Sequence, residues 1–385
     1  MERKLRVLHI TPDNKFFDSV FSIWEKEEDI ENKAICIVPC SNYKFEYVKS
    51  TEKVELLWSK EMVKECLGRN DYDVVFFHSL IVEFYSLVSF IPIDRTIIWW
   101  GWGIDIYGTR KGMHPLINLP LYKPLTEKYI FHFNWSFKGI LCRLYWSLVR
   151  SVWEKKRNEV LNRIDYFQPV LMKEFRMICQ NEHFRAKEFY YKSIGYSYKD
   201  AFVKSPSGNI LLGNSATATN NHLDVLKKVL SCKQESQKII MPLNYGSVHY
   251  KKWLTPQIQS PDIIPLFDFL PRKEYYEIVK GCSYAVFGTL RQQAMGNISF
   301  ALSKGIKVFL YKDSVAYQNH KALGYAVYAI EDMTRDGLLT PLSLEEIEQN
   351  HQAFLKERER RWAVFDTCIE EIKNKYLNNG IIESS

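Results

Sequence analysis

The amino-acid sequence predicts two α/β domains, each a doubly wound parallel sheet, followed by a C-terminal helix. Its 385 residues exceed the size at which a single core keeps growing. Strand-like runs alternate with helical stretches in both halves, and the runs are nearly all apolar, which is typical of strands buried on both faces. Residues 195–208 contain Gly, Ser and Pro in the proportions of a linker, so the boundary is predicted near residue 200.

The predicted elements follow in chain order. The strands of the first half are RVLHI (6–10), AICIV (34–38), VVFFH (74–78) and TIIWW (96–100), with helical patterning between them, as over 58–68. Those of the second half are NILLG (209–213), KIIMP (238–242), IIPLF (263–267), YAVFG (284–288) and KVFLY (307–311). A capping box of Ser343 and Glu346 opens one long helix, whose apolar stripe should pack on a domain.

Composition excludes several classes of protein. The eight cysteines show no CxxC pair and no zinc-like spacing, so we expect reduced, buried thiols and no metal or other cofactor. The N-terminal apolar run is too short for a signal peptide, and Arg143 and Arg150 interrupt the best candidate for a membrane span, so a cytoplasmic location is expected. The net charge of +7 suits an anionic ligand, a membrane surface or nucleic acid.

Two strand-to-helix junctions of the second half carry polar side chains. In ILLGNSATATNNH (210–222) a strand ends in small and polar residues, which would let backbone N–H groups approach a phosphate. In TLRQQAMGN (289–297) Arg291 could bind phosphate, and Gln292 and Gln293 could bind a sugar. The alternatives are a polar turn in which Thr219 or Asn220 caps the next helix, and a solvated surface.

In the first half, WWGWGIDIY (99–107) lacks the third glycine of GxGxxG, so a Rossmann oxidoreductase is not favoured. Asp105 follows a strand amid aromatic residues, where it could meet a sugar, although the tryptophans could simply be core. Asp13 and His78 also follow strands. Each of the three is a candidate general base, and each could instead be a helix cap or a buried, satisfied side chain.

Together these segments resemble the TDP-N-acetylfucosamine:lipid II N-acetylfucosaminyltransferase family of enterobacterial common antigen synthesis, glycosyltransferase family 56. That family has VGNS-, VPM-, ARQQGIG- and WGADLY-type segments. The matching positions here are Gly213, Asn214, Ser215, Pro242, Tyr245, Arg291, Gln292, Gln293, Gly296, Trp100 or Trp102, Gly103, Asp105 and Tyr107. Asn244 and Gly246 flank the tyrosine differently, and Ala294 replaces a glycine, which leaves the particular sugar open.

The resemblance implies a GT-B fold of two domains facing across a cleft, and inverting, metal-independent transfer from a dTDP-sugar. Residues 1–200 would bind the acceptor, 201–342 the nucleotide-sugar, and 343–385 would form the helix packing back on them. The expected donor-binding residues are Gly213, Asn214, Ser215, Asn220, Tyr245, Arg291, Gln292 and Gln293. For the base, the order of preference is Asp13, Asp105 and His78. A nucleotide-sugar epimerase of the same fold and a non-catalytic nucleotide-sugar-binding or membrane-binding protein are the alternatives.

The stretch 110–165 matches the family least. Between residues 123 and 163 it has nine basic and three acidic residues, a net charge of +6, interleaved with phenylalanine and tryptophan. This composition suits anionic headgroups, as a family acting on undecaprenyl-diphosphate-linked saccharides at the inner membrane would need. A packing insertion is the second interpretation, and nucleic-acid binding a distant third.

Overall fold

The structure, a computed structural model, describes residues 3–14, 16–108, 115–134, 137–193, 195–198 and 208–378, without the side chains of 132–134, 137–139, 142–143, 146–147 and 149–150. It divides into two compact units. The first comprises Met1–Ile117, Leu144–Ser193 and Arg358–Ser385, and the second comprises Asn118–Arg143 and Ile194–Glu357.

The strands of the first unit are β1 (Leu5–Thr11), β2 (Ile30–Ile37), β3 (Val54–Leu57), β4 (Val74–Phe77), β5 (Thr96–Trp100), β6 (Tyr166–Gln168) and β7 (Lys187–Glu188). They form one parallel sheet in the order β3-β2-β1-β4-β5-β6-β7. Its core contains Trp24, Phe76 and Phe189. The four predicted strands are confirmed, whereas β3, β6 and β7 were not predicted.

The strands of the second unit are β8 (Asn209–Leu212), β9 (Ile239–Pro242), β10 (Ile263–Leu266), β11 (Cys282–Phe287), β12 (Lys307–Leu310) and β13 (Tyr328–Ala329). They form a parallel sheet in the order β10-β9-β8-β11-β12-β13. All five predicted strands are confirmed. Since β9, β8 and β11 are neighbours, the loops that follow them begin at one edge of this sheet.

The helices surround these sheets. They are α1 (Phe17–Trp24), α2 (Lys60–Gly68), α3 (Tyr85–Val88), α4 (Gly103–Tyr107), α5 (Pro124–Asn134), α6 (Phe137–Leu161), α7 (Met172–Ile178), α8 (His222–Cys232), α9 (Val248–Leu254), α10 (Arg272–Lys280), α11 (Met295–Ser303), α12 (Val315–Ala322) and α13 (Leu344–Lys373). Among the described residues no helix is both long enough and apolar enough to span a bilayer.

Helix α5 belongs to the second unit, although the sequence assigned residues 1–200 to one domain. The Asp224 carboxylate accepts hydrogen bonds from the backbone N–H groups of Leu125 and Thr126, at 2.8 and 3.0 Å, and so satisfies the first turn of α5. Tyr129 packs on Tyr250 and Trp253. These contacts join α5 to α8 and α9. The sequence did not predict them, because the residues lie far apart along the chain.

Helix α13 opens with the predicted capping box, because Ser343 N–H donates to Glu346 Oε2 at 2.8 Å and Glu346 N–H donates to Ser343 Oγ at 3.2 Å. The helix is not a separate part of the fold. Its residues up to Glu357 belong to the second unit, and those from Arg358 onward to the first, where Phe365 and Ile369 enter the core.

The cysteines only partly follow expectation. The seven whose side chains are described are free, and five of them are buried, but Cys40 and Cys179 are exposed.

Candidate functional site

The first loop of the candidate site, Gly213–Asn221, follows β8. Gly213 has φ +72°, and a Cβ at this position would lie 2.9 Å from His222 Nε2, so glycine is required for the turn. Its N–H donates to Val286 O at 2.9 Å, within the sheet ladder. Gly213 therefore shapes the turn. The N–H groups of Asn214 and Ser215, which follow it, donate to no atom of the described residues.

Asn220 supports this loop from within. It is fully buried, and its Nδ2 donates to Ser215 O and to Thr217 Oγ1, each at 2.9 Å. This places Asn220 beneath the loop, where it fixes the shape rather than contacting a ligand. Neither Thr219 nor Asn220 occupies the cap position of α8. Asn221 does so, in the left-handed conformation with φ +51°.

Asn221 was missed by the sequence reasoning. Its Nδ2 donates to Gly288 O at 2.7 Å, and its Oδ1 accepts from Lys123 N–H at 2.8 Å. It thus connects the loop after β8 to the loop after β11 and to the segment leading into α5. An Asn-Asn pair before a helix was the available signal, since asparagine tolerates left-handed backbone.

A hydrogen-bonded chain of side chains joins the loops that follow β8, β9 and β11. Asn214 Nδ2 donates to the Tyr245 hydroxyl at 2.8 Å, and Gln293 Nε2 donates to Asn214 Oδ1 at 3.2 Å. Gln293 also accepts from Thr219 Oγ1 at 2.6 Å and donates to Thr217 Oγ1 at 3.1 Å. The structure therefore brings together Asn214, Tyr245 and Gln293, which the sequence had selected from three separate segments.

The loop after β11 adds a fixed positive charge. Arg291 is half-buried, and its Nη1 donates to Gln292 O at 3.0 Å. Burial raises the pKa of the Tyr122 phenol, and the positive charge of Arg291 partly opposes that rise. Gln292 is largely buried. Ala294, which precedes α11, has φ +60°. This left-handed conformation explains why the family pattern has a glycine at that position.

In the first unit, Asp105 lies in the first turn of α4 and is 8% exposed. Its Oδ2 accepts from Leu80 N–H at 3.0 Å, from Trp99 Nε1 at 2.9 Å and from Ser79 Oγ at 3.4 Å, and its Oδ1 accepts from Trp102 N–H at 3.0 Å. Burial raises the pKa of this carboxyl to about 6. A cavity of about 20 Å³ adjoins it, room for roughly one water-sized group.

Asp13 has a different environment from the one expected of a base. Its Oδ2 accepts from the Tyr43 hydroxyl and Glu46 N–H, and its Oδ1 accepts from Tyr47 N–H and Val48 N–H, at 2.6–3.1 Å. A carboxylate has about four acceptor positions, so all of them are filled. Asp13 therefore anchors the loop over residues 43–48, and its role as a base stays a prediction.

His78 is also not placed as expected. It is fully buried, and its Nε2 lies 3.0 Å from His9 Nδ1, while His9 Nε2 lies 3.0 Å from Asn32 Oδ1. Burial holds the pKa of His78 well below its ordinary value, so the ring is neutral. Trp99 and Trp100 are core residues, as the alternative interpretation held. A substrate hydroxyl cannot reach a histidine enclosed in this way.

The family comparison decides the class of protein. Residues 196–362 match the family described as 4-alpha-L-fucosyltransferase glycosyl transferase group 56, which confirms the resemblance over the part of the chain that carries both polar loops. The protein is a glycosyltransferase. No curated protein matches it significantly.

Solved structures show the fold of this glycosyltransferase. Anabaena Alr3699/HepE in complex with UDP and glucose has a TM-score of 0.60 at 11% identity, covering 96% of this chain and 100% of that one. A glycosyltransferase from Rickettsia africae has a TM-score of 0.57 at 11% identity, and the match covers 97% of this chain and 98% of that one. An E. coli structure described as trehalose-6-phosphate bound with UDP-2-fluoro glucose has a TM-score of 0.55 at 10% identity, covering 96% and 99%. The fold is GT-B, as predicted.

Proposed function

We propose that the enzyme transfers an amino-deoxy or acetamido sugar from a dTDP-sugar to a lipid-linked saccharide, with inversion and without a metal, in bacterial surface polysaccharide synthesis. The observation that carries this proposal is the hydrogen-bonded chain Tyr245–Asn214–Gln293–Thr219, which joins three loops inside the family-matched residues. Loops at this edge of a parallel sheet bind ligands in open α/β domains.

Arg291 and the two N–H groups at Asn214 and Ser215 suit the donor diphosphate. Backbone N–H groups and a guanidinium bind phosphate oxygens strongly and neutralise the charge that develops as the nucleoside diphosphate leaves. A fixed cation in the loop supplies this stabilisation without a divalent ion.

The amide and hydroxyl groups around Gln293 suit the sugar. Gln293, Asn214 and Thr217 offer both donors and acceptors, and their mutual hydrogen bonds fix their orientation before a ligand arrives. Such preorganised groups can read the hydroxyl or acetamido substituents of a hexose. Tyr245 is half-exposed at the end of this chain and would line the same pocket.

For the general base we propose Asp105 in place of Asp13. A small cavity adjoins its carboxylate, and a carboxyl with a pKa of about 6 is ionised yet basic near neutral pH. Attack of the acceptor hydroxyl on the face opposite the leaving group would invert the anomeric centre. A lipid-linked acceptor also calls for peripheral contact of residues 120–163 with the inner face of the cell membrane.

The first test is thermal stabilisation by dTDP, UDP, GDP and CMP, because a ligand that binds only the native state raises the melting temperature. A selective rise of several degrees with dTDP, lost in Arg291→Ala, is expected. Arg335→Ala is the matched control, because Arg335 is an exposed arginine of the same unit that donates to Gln234. Failure of every nucleotide to shift the melting temperature would overturn the assignment of the two loops.

The second test is turnover. Product formed only with a lipid-linked acceptor, with inverted anomeric configuration and undiminished by a chelator, would support the proposal. An altered nucleotide-sugar released without acceptor would identify an epimerase instead. Nucleotide affinity without any turnover would identify a binding protein.

A further inference from the structure

Helix α6 exposes an apolar stripe. Leu144, Leu148 and Val152 recur at four-residue spacing and are 57%, 82% and 68% exposed, and Tyr145 beside them is 56% exposed. Residues at this spacing share one face of a helix. We name Leu144, Tyr145, Leu148 and Val152 the α6 stripe. It lies in the part of α6 that belongs to the first unit.

A stripe of this kind is unusual on the surface of a protein in water. Single exposed apolar side chains are normal, but a contiguous patch marks a surface that something covers. On an ordinary surface helix the apolar face turns inward and the polar face outward. Here large aliphatic side chains occupy the outward positions over more than two turns, so α6 is built to meet a partner.

The charge of α6 indicates what that partner is. The helix has six basic and two acidic residues, a net charge of +4, and no acidic residue occurs between Phe137 and Val152. One turn beyond the stripe lies the exposed Lys155, and Lys156 Nζ lies 5.5 Å from the centre of the Trp153 ring. A second copy of the chain would oppose +4 to +4 across the contact, which is repulsive. An anionic bilayer satisfies both the apolar and the basic groups.

We propose that α6 lies in the plane of an anionic membrane, with the α6 stripe inserted among the acyl chains and Lys155 and Lys156 at the headgroups. This inference rests on the proposed function, in which the acceptor is a lipid, and it assigns the contact to an aliphatic helix face. The aromatic residues that the sequence analysis emphasised are not needed for it. The surface would hold the enzyme where its acceptor is dissolved.

The test is flotation of the full-length protein with vesicles of phosphatidylcholine alone or mixed with phosphatidylglycerol. We expect binding to the mixed vesicles that weakens with salt, and at least tenfold weaker binding for Leu148→Glu. The matched control is Ile93→Glu, since Ile93 is 84% exposed in the same unit but lies outside α6. Lys155→Gln with Lys156→Gln should reduce both the affinity and its dependence on salt.

The outcomes separate the alternatives. Wild-type protein that binds neither vesicle, or Leu148→Glu protein that binds within twofold of wild type, overturns the proposal. If Leu148→Glu changes the oligomeric state measured by light scattering but leaves flotation unchanged, the α6 stripe contacts a second copy of the chain. That result overturns the proposal as well. The melting temperature of each variant reports folding, and its rise with dTDP, measured without vesicles, reports the donor site independently of the membrane.

Discussion

Asp13 and Asp105 show how two identical side chains in similar positions come to differ. Both follow the carboxyl end of a parallel strand of the first unit. Each carboxylate receives four hydrogen bonds, but Asp13 is half-buried whereas Asp105 is almost fully buried. Asp13 holds a loop, whereas burial makes Asp105 a carboxyl that exchanges a proton near neutral pH.

We predict that Asp105→Asn lowers kcat by about 10²–10⁴-fold with little change in donor KM, because an amide cannot accept the proton. In the wild-type enzyme kcat should rise with pH through about 6, as Asp105 ionises. Steady-state kinetics over pH 5–8 would measure both effects. Asp13→Asn should instead lower the melting temperature, since it removes an anchor of the loop over residues 43–48. Full activity of Asp105→Asn would exclude it as the base.

At the scale of single residues, the sequence indicated which polar side chains lie together but not the surroundings of each side chain. Asn214 and Gln293 were selected because each follows a strand, and Tyr245 because of the family resemblance; parallel strands bring the loops that follow them to one edge. The order Asp13, Asp105, His78 stays a prediction, although His78 is fully buried and Asp13 anchors a loop. The backbone N–H groups around Asp13 and the rings around His78 come from segments distant in sequence. The local sequence therefore carries no sign of either environment.

At the scale of elements, both polar loops require a residue in the left-handed conformation. The loop after β8 has glycine there, with φ +72° at Gly213, but the loop after β11 has Ala294 with φ +60°. A side chain in this conformation costs roughly 1 kcal/mol. The loop that carries Arg291 is thus held in a strained form by its surroundings.

We predict that Ala294→Gly raises the free energy of unfolding by about 1 kcal/mol, because it relieves this strain. Gly213→Ala should lower the free energy of unfolding by more than about 2 kcal/mol. The alanine would have to adopt a positive φ, and its Cβ would meet His222 Nε2. Gly68→Ala is the control, because a Cβ there meets nothing within 4 Å. Urea unfolding measures all three, and stabilisation by Gly213→Ala would contradict the described turn.

The elements that the sequence missed are short. Strands β6, β7 and β13 have three, two and two residues, too few to show any periodicity. Strand β3, over VELL, contains a glutamate that breaks the apolar run used to recognise the others. Long buried runs were predictable because a strand covered on both faces must be apolar throughout.

At the scale of the whole molecule, three of the histidines whose side chains the structure describes are fully buried, and burial keeps them neutral. They are His9 and His78 in the first unit and His222 in the second. Burial lowers the pKa of His9 to about 4 and that of His222 to about 3, and it lowers the pKa of His78 well below its ordinary value. Below about pH 6.5 the unfolded chain takes up protons at these sites and the folded chain does not.

We therefore predict that stability falls as pH drops from 7.5 to 5.5, by roughly 1.4 kcal/mol for each buried histidine. Asp105 acts in the opposite direction, because its raised pKa lets the folded state bind a proton first, and it offsets about 1 kcal/mol of the loss. The net fall is about 3 kcal/mol, measurable as a lower urea midpoint. Equal midpoints at the two pH values would contradict the buried, neutral state.

The assignment of α5 to the second unit has a practical consequence for anyone who recombines this enzyme with its relatives. A gene fragment that begins at residue 200 would encode β8 to α13 but omit the partner of Asp224 and the ring of Tyr129 that covers Trp253. A chimera intended to exchange donor specificity must therefore exchange residues 118–143 together with 194–357. A single crossover would leave the half-buried Asp224 carboxylate without these partners in one chimera and helix α5 without its own unit in the other.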